Sequence, residues 1–178
     1  MSTTSRVYVI DTSSIIEPRR LLAQEKAAEK DRVYGALGTL VGEGTLMFPP
    51  QVYEELDRFH DQAELEDRAY EWARMHKEKA VGTVSVEELF EAVRSVQLVV
   101  DNLVDFDKPS PGEDADPYVV GLALRLVQCG QSVSVITEER NDRAEKTSMG
   151  SACALLGLPA LSLRVFLRHV GIWPNPGR

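Results

Sequence analysis

The sequence predicts an α/β fold in which a mostly parallel central sheet is sandwiched between helices, a three-layer α/β/α arrangement. Three observations carry this expectation. The β-favouring apolar run Val7-Tyr8-Val9-Ile10 reads as a strand buried on both faces, and Val133-Ser134-Val135-Ile136 reads as another strand. Between such runs lie segments of helical periodicity, and strands that alternate with helices pair in parallel. The 178 residues and 43% hydrophobic content suit one domain with a substantial core, taken as 6–171, with 172–178 as a Pro-rich tail expected to fray.

The first strand stops abruptly at Asp11 and the hydroxyls of Thr12, Ser13 and Ser14. An acid in that place sits at a carboxyl edge, where open α/β sheets bind their ligands. One long helix is expected from about Leu21 to Val41, with Tyr34, Leu37, Leu40 and Val41 at helical spacing and Gly42 and Gly44 ending it. Thr45 to Phe48 form a short strand that Pro49-Pro50 break. A helix then opens at Gln51 and turns Val52, Leu56 and Phe59 inward, beside Glu54, Glu55 and Asp57. Two amphipathic helices follow, one on Leu65, Ala69, Trp72 and Met75, the other on Val86, Leu89, Phe90, Val93, Val96 and Val100. Residues 105–114 are the most loop-like stretch. Asp116 to Leu126 is apolar nearly all round and fits a helix packed deep against the sheet. Val133 to Ile136 is the next strand, followed by a turn over 137–142 and a helix around Ser151 to Leu156. A short strand at Ala160 to Ser162 and a helix from Leu163 to Val170 complete the pattern.

Composition narrows the function. A net charge of -8 excludes polyanion binding by a general electrostatic field, so any nucleic-acid contact has to be local. Cys129 and Cys153 have neither metal-ligand spacing nor the density of a disulfide scaffold, which suits reduced thiols. The polar start, Met1 to Arg6, lacks the apolar stretch of a signal peptide, and the expected location is cytoplasmic. His60, His76 and His169 are scattered. Gly150-Ser151-Ala152-Cys153 lacks the second glycine of a nucleophile elbow, and Gly42-Glu43-Gly44 is too short for a dinucleotide fingerprint.

In a right-handed βαβ unit the crossover helix starts at the carboxyl edge of the sheet, so strand ends and helix starts share one rim. Asp11 and Glu139 follow strands, Glu55 lies in the first turns of a helix after a strand, and Asp116 opens a helix. These acids are expected to face one crevice. Like charges held together raise one another's pKa unless a cation neutralises them, and oxygen-only ligands favour Mg²⁺ or Mn²⁺. Each acid also has a structural reading. Asp116 before Pro117 has the form of a helix N-cap, Glu54, Glu55 and Asp57 suit the positive end of a helix dipole, and Glu138 and Glu139 suit a solvated turn.

The spacing Val-Ile-Asp11-Thr-Ser, Pro-Pro-x-Val-x-Glu-Glu55-Leu, Ala-Asp116-Pro-x-Val-Val-x-Leu-Ala and Val-Ile-Thr137-x-Glu139 resembles the PIN domain, including the ribonuclease toxins of VapBC toxin-antitoxin pairs. The resemblance covers most of the chain in the right order. It implies a PIN-like sandwich that binds Mg²⁺ or Mn²⁺ and cleaves single-stranded RNA, with Asp11, Glu55, Asp116 and Glu139 in the four acid places. Thr12 resembles the small polar residue that supports the first acid. The fourth acid is usually aspartate in these toxins, so Asp142 competes with Glu139; Glu54 competes with Glu55, and Asp114 is a loop-borne candidate for the rim. The helices between Phe59 and Val104 make the chain longer than a minimal toxin of this kind.

The chemistry implied is metal-assisted phosphodiester hydrolysis. Asp11 and Asp116 are expected as direct ligands, with Glu55 and Glu139 on a second ion or orienting water. Arg140, Arg143 and Lys146 are candidate phosphate contacts, with Arg19 and Arg20 behind them; each is also readable as ordinary surface charge. The alternative to an enzyme is a PIN-like module that binds nucleic acid or protein without turnover. A phosphatase-type reading is disfavoured because Ser13 stands where a second acid would follow Asp11. The apolar positions Leu37, Leu40, Val41 and Trp72 are expected either to form a homodimer or antitoxin-binding face or to be covered by the rest of the domain.

Overall fold

A computed structural model describes residues 6–22, 27–61, 67–104 and 114–173. Four parallel strands form the sheet in the order β2-β1-β3-β4, with β1 Val7–Ile10, β2 Leu46–Met47, β3 Val133–Ile136 and β4 Ala160–Leu161. All of β1 and β3 is buried, β1 as its unbroken apolar run requires and β3 with Ser134 buried among its apolar residues. The register sets Ile10 beside Ile136, so Asp11 and Thr137 leave the sheet side by side. Helices on both faces make the three-layer α/β/α sandwich that the alternation of elements predicts.

The first strand feeds directly into α1 Thr12–Ile16 and α2 Pro18–Leu21, and α3 Ala27–Gly42 follows. The expected single helix from Leu21 is therefore corrected. Helical structure begins at Thr12, because the Asp11 carboxylate accepts the Ser14 N–H and caps the first turn. Pro18 starts a separate short helix, and Leu22 is extended. The helix α3 ends where Gly44 takes φ 71°, which suits a residue without Cβ.

After β2 come α4 Pro50–Asp61 and α5 Asp67–His76; Leu65 and the loop positions 105–113 lie outside the described residues. The α6 helix Val86–Gln97 opens on a capping box, in which Ser85 and Glu88 satisfy each other's backbone N–H. It packs along α7 Asp116–Gln128 at Gly121, where a Cβ would stand 2.9 Å from Val93 Cγ2 and 3.2 Å from Val93 N. The Arg125–Glu88 ion pair ties the same two helices. In turn α7 lies against β1 and β3, and its Val119, Val120, Leu122 and Ala123 are buried. The chain closes with α8 Met149–Leu155 and α9 Leu163–His169, whose Phe166 meets Tyr8 of β1 edge-on at 4.7 Å.

Of the two outcomes expected for Leu37, Leu40, Val41 and Trp72, cover by the rest of the domain is the one observed, and the expected tail is corrected. Leu37, Val41 and Trp72 lie in the core and Leu40 packs against it, so these residues form no open face. They are covered within the chain, where α5 brings Trp72 to Tyr34 and Phe48. Ile172 and Trp173, assigned to the tail, also pack on the core, and their N–H groups bond Leu167 O. Among the described residues no helix is long and apolar enough to cross a membrane. Cys129 and Cys153 are free thiols.

Candidate active site

Asp11 is 2% exposed at the end of β1. Its Oδ2 accepts a 2.6 Å hydrogen bond from Thr137 Oγ1, its Oδ1 accepts 2.9 Å bonds from Ser14 N and Ser13 Oγ, and these donors are neutral. Burial raises the Asp11 carboxyl to about 6, although the same hydrogen bonds pull it down. A buried carboxylate served only by neutral dipoles retains an unbalanced charge.

Glu55 sits on the inner side of α4 at 5% exposure, whereas Glu54 points to solvent. Thr12 Oγ1 donates to Glu55 Oε2 at 2.6 Å, so the residue that follows Asp11 in the chain holds the second acid. Thr12 is itself buried, and its hydroxyl is committed to Glu55 at the edge of the cavity it helps to line. Asp116, 9% exposed, occupies the first turn of α7. Ala115 is the N-cap and makes no side-chain cap bond, so the N-cap reading of Asp116 is corrected. Asp114, expected to be loop-borne, is 2% exposed, and its Oδ1 faces Asp116 N at 3.4 Å.

Lys146 completes the group. It is 7% exposed, and its Nζ donates to Asp116 Oδ2 at 2.6 Å and to both Glu139 oxygens at 3.2 Å. Burial pulls its pKa down, but Asp116, Asp114 and Glu139 together hold the ammonium above its ordinary value. Asp116 is pushed up by burial and by Asp114 and Glu139, against Lys146. The Lys146 direction follows from the acids around one ammonium, and the Asp116 direction first from burial and then from its acidic neighbours. The Cys153 thiol, under the same site, is raised to about 12 by burial and by the charges of Asp11 and Asp116.

Asp11, Glu55, Asp116 and Glu139 all line one cavity of about 330 Å³, together with Thr12, Ser13, Arg20, Arg143 and Lys146. The convergence expected of the four acids is thus present in the fold. Asp142 is exposed and accepts the Ser148 N–H at 2.8 Å; that bond lowers its pKa, and Asp142 does not line the cavity. Arg140 is also absent from this rim and borders a separate small cavity with Thr137 and Gly150. Gly150 lets α8 approach the Glu139 backbone, since Gly150 N bonds Glu139 O at 2.9 Å and a Cβ there would lie 3.3 Å from that oxygen.

Two partners of the acids are not expected from the sequence: Thr137 on Asp11, and Lys146 on Asp116 and Glu139 in place of phosphate or solvent. The first was within reach, because the pairing of β1 with β3 sets Thr137 beside Asp11. The second depends on a tight turn in which Arg143 and Lys146 bridge each other, and no periodicity announces it.

Among the described residues no group of three or more His, Cys, Asp or Glu side chains is gathered closely enough to hold a metal ion as it stands. Two features nonetheless fit the donor set to a hard divalent cation: the ligands are oxygen-only, and Lys146 Nζ is a stand-in cation already held by Asp116 and Glu139. No curated protein and no solved structure matches the chain. The model of one family does match, from Tyr8 in the first strand to Trp173 beyond the last helix, and by that match the chain belongs to the family described as Domain of unknown function (DUF4411).

Proposed function

We propose that this chain is a divalent-metal-dependent endoribonuclease of the PIN type that cleaves single-stranded RNA in the cytoplasm as the toxin of a toxin-antitoxin pair. The observation that carries the catalytic reading is the meeting of Asp11, Glu55, Asp116 and Glu139 in one cavity at the carboxyl end of a parallel sheet. The order and spacing of those acids, which resemble the PIN pattern, support the substrate class.

Asp11 and Asp116 would hold Mg²⁺ or Mn²⁺, with Glu55 and Glu139 completing the oxygen shell or orienting water. When bound, such an ion supplies Lewis-acid charge at the scissile phosphate and eases deprotonation of the attacking water. The chain supplies the rest. Thr137 and Ser13 fix the Asp11 carboxylate, and Thr12 fixes Glu55. Arg143 and Arg20, both on the rim, bring the local positive charge that a chain of net charge -8 needs near a phosphodiester. Arg140 lies outside this role.

The test is cleavage of a labelled single-stranded RNA by purified protein with Mn²⁺ or Mg²⁺, with chelator, and by Asp11→Asn. Wild type is expected to cleave only with metal. Asp11→Asn is expected to lose at least about 100-fold, since loss of a ligand exceeds the cost of losing an outer-shell partner. Equal cleavage by both proteins would refute the assignment. A second reading, a binding module without turnover, is favoured by the ammonium among the acids. It is expected to show equal RNA retention by wild type and Asp11→Asn and no metal-dependent product.

A further inference from the structure

We infer that Lys146 is a resident counter-ion for the metal centre: it holds Asp116 and Glu139 until a divalent cation replaces its ammonium, so its ion pairs and the loaded site exclude one another. The inference rests on the reading of this cavity as a divalent-cation site. It starts from three bonds on one atom, Nζ to Asp116 Oδ2 at 2.6 Å and to Glu139 Oε1 and Oε2 at 3.2 Å. An ammonium so placed covers carboxylate oxygens that an ion would need, and two cations cannot share them without strong repulsion.

The surroundings suit an exchange confined to one side chain. The backbone at Lys146 is pinned by reciprocal bonds with Arg143, of 2.9 and 3.3 Å, and by Thr147 N to Asn102 O at 2.8 Å. Beyond Cα, a flexible four-carbon stem opens onto a cavity of about 330 Å³ that Lys146 itself lines. The ammonium can leave the acids by rotating into that space while the fold stays in place. In the metal-free state it keeps Asp116 and Glu139 from repelling each other, and after exchange it is free to meet the negative charge of a bound phosphodiester. A lysine serving only as structural glue would stay on the acids, and its accessibility would not change with the ion.

Two measurements on the full chain decide this. Mn²⁺ is titrated into chelator-treated wild type and Lys146→Met, with free Mn²⁺ followed by electron paramagnetic resonance. The neutral variant is expected to bind with a Kd at least tenfold lower. In parallel, wild type is acylated with an N-hydroxysuccinimide ester, with and without saturating Mg²⁺, and labelling at Lys146 is read by peptide mass spectrometry. Labelling is expected to speed up at least tenfold with the ion, and this arm stands even if the variant fails to fold. Equal or weaker Mn²⁺ binding by a Lys146→Met variant that folds, or unchanged labelling in a wild type that binds Mn²⁺, would overturn the counter-ion role and leave the metal site intact. Absence of Mn²⁺ binding by both proteins would remove the metal site and the inference together.

Discussion

At Asp11 the chemistry of one side chain sets a conflict between stability and function. Its carboxyl lies at about 6 in the folded chain against an ordinary 3.8, because burial penalises the charge more than Thr137, Ser14 and Ser13 relieve it. The folded protein therefore holds this proton more tightly than the unfolded chain does. The resulting stabilisation is complete below about pH 4 and is lost as pH rises through 6, leaving a cost of about 3 kcal/mol at neutral pH. Asp11→Asn, with chelator present, is expected to be more stable than wild type at pH 7 by about 1–3 kcal/mol, the amide retaining part of the hydrogen bonding. The gain should vanish near pH 4. Urea unfolding at both pH values measures it, and a variant less stable than wild type at pH 7 would show that the Asp11 charge is better solvated than its burial implies. Glu55 makes a second residue-scale point. The choice between Glu54 and Glu55 was legible only as a motif match, and burial on α4 together with the Thr12 hydroxyl gives it a physical basis.

Among the elements, α7 carries the most structure, resting on β1 and β3 on one side and α6 on the other. Gly121 permits the second contact. Alanine there would improve helix propensity by about 1 kcal/mol, but its Cβ would press on the Val93 methyl and on backbone at 3.2 Å. Overpacking of that kind costs about 1–3 kcal/mol, so Gly121→Ala is expected to lower stability on balance, read as a lower urea midpoint with unchanged slope. A raised midpoint would mean that α6 can move aside freely. This helix was also the most legible part of the chain, since a segment apolar nearly all round can only be buried, and β1 was legible for the same reason. The short helices α1 and α2, of 5 and 4 residues, were not, because neither is long enough to display a period. Nor could the apolar stripe on α3 be assigned a partner. Periodicity shows that Leu37 and Val41 need cover, and only the tertiary fold shows that the cover comes from the same chain.

For the whole molecule, parallel pairing in the order β2-β1-β3-β4 gathers residues more than a hundred positions apart at one mouth. That gathering followed from sequence because helix starts and strand ends share a rim in any such sheet. The ammonium of Lys146 did not follow, since its reach depends on the turn between β3 and α8 and not on strand order. The same topology places Arg143 and Arg20 beside the acids and leaves Arg140 off the rim, a distinction that charge alone cannot make. The central claim is that this mouth holds a divalent cation between the first and third acids. Crystals grown with Mn²⁺ and measured on both sides of the manganese edge test it most directly. An anomalous peak in contact with the carboxylates of Asp11 and Asp116, with Lys146 turned away from Asp116, is the expected result; no peak at saturating Mn²⁺, or a peak away from both aspartates, would contradict it.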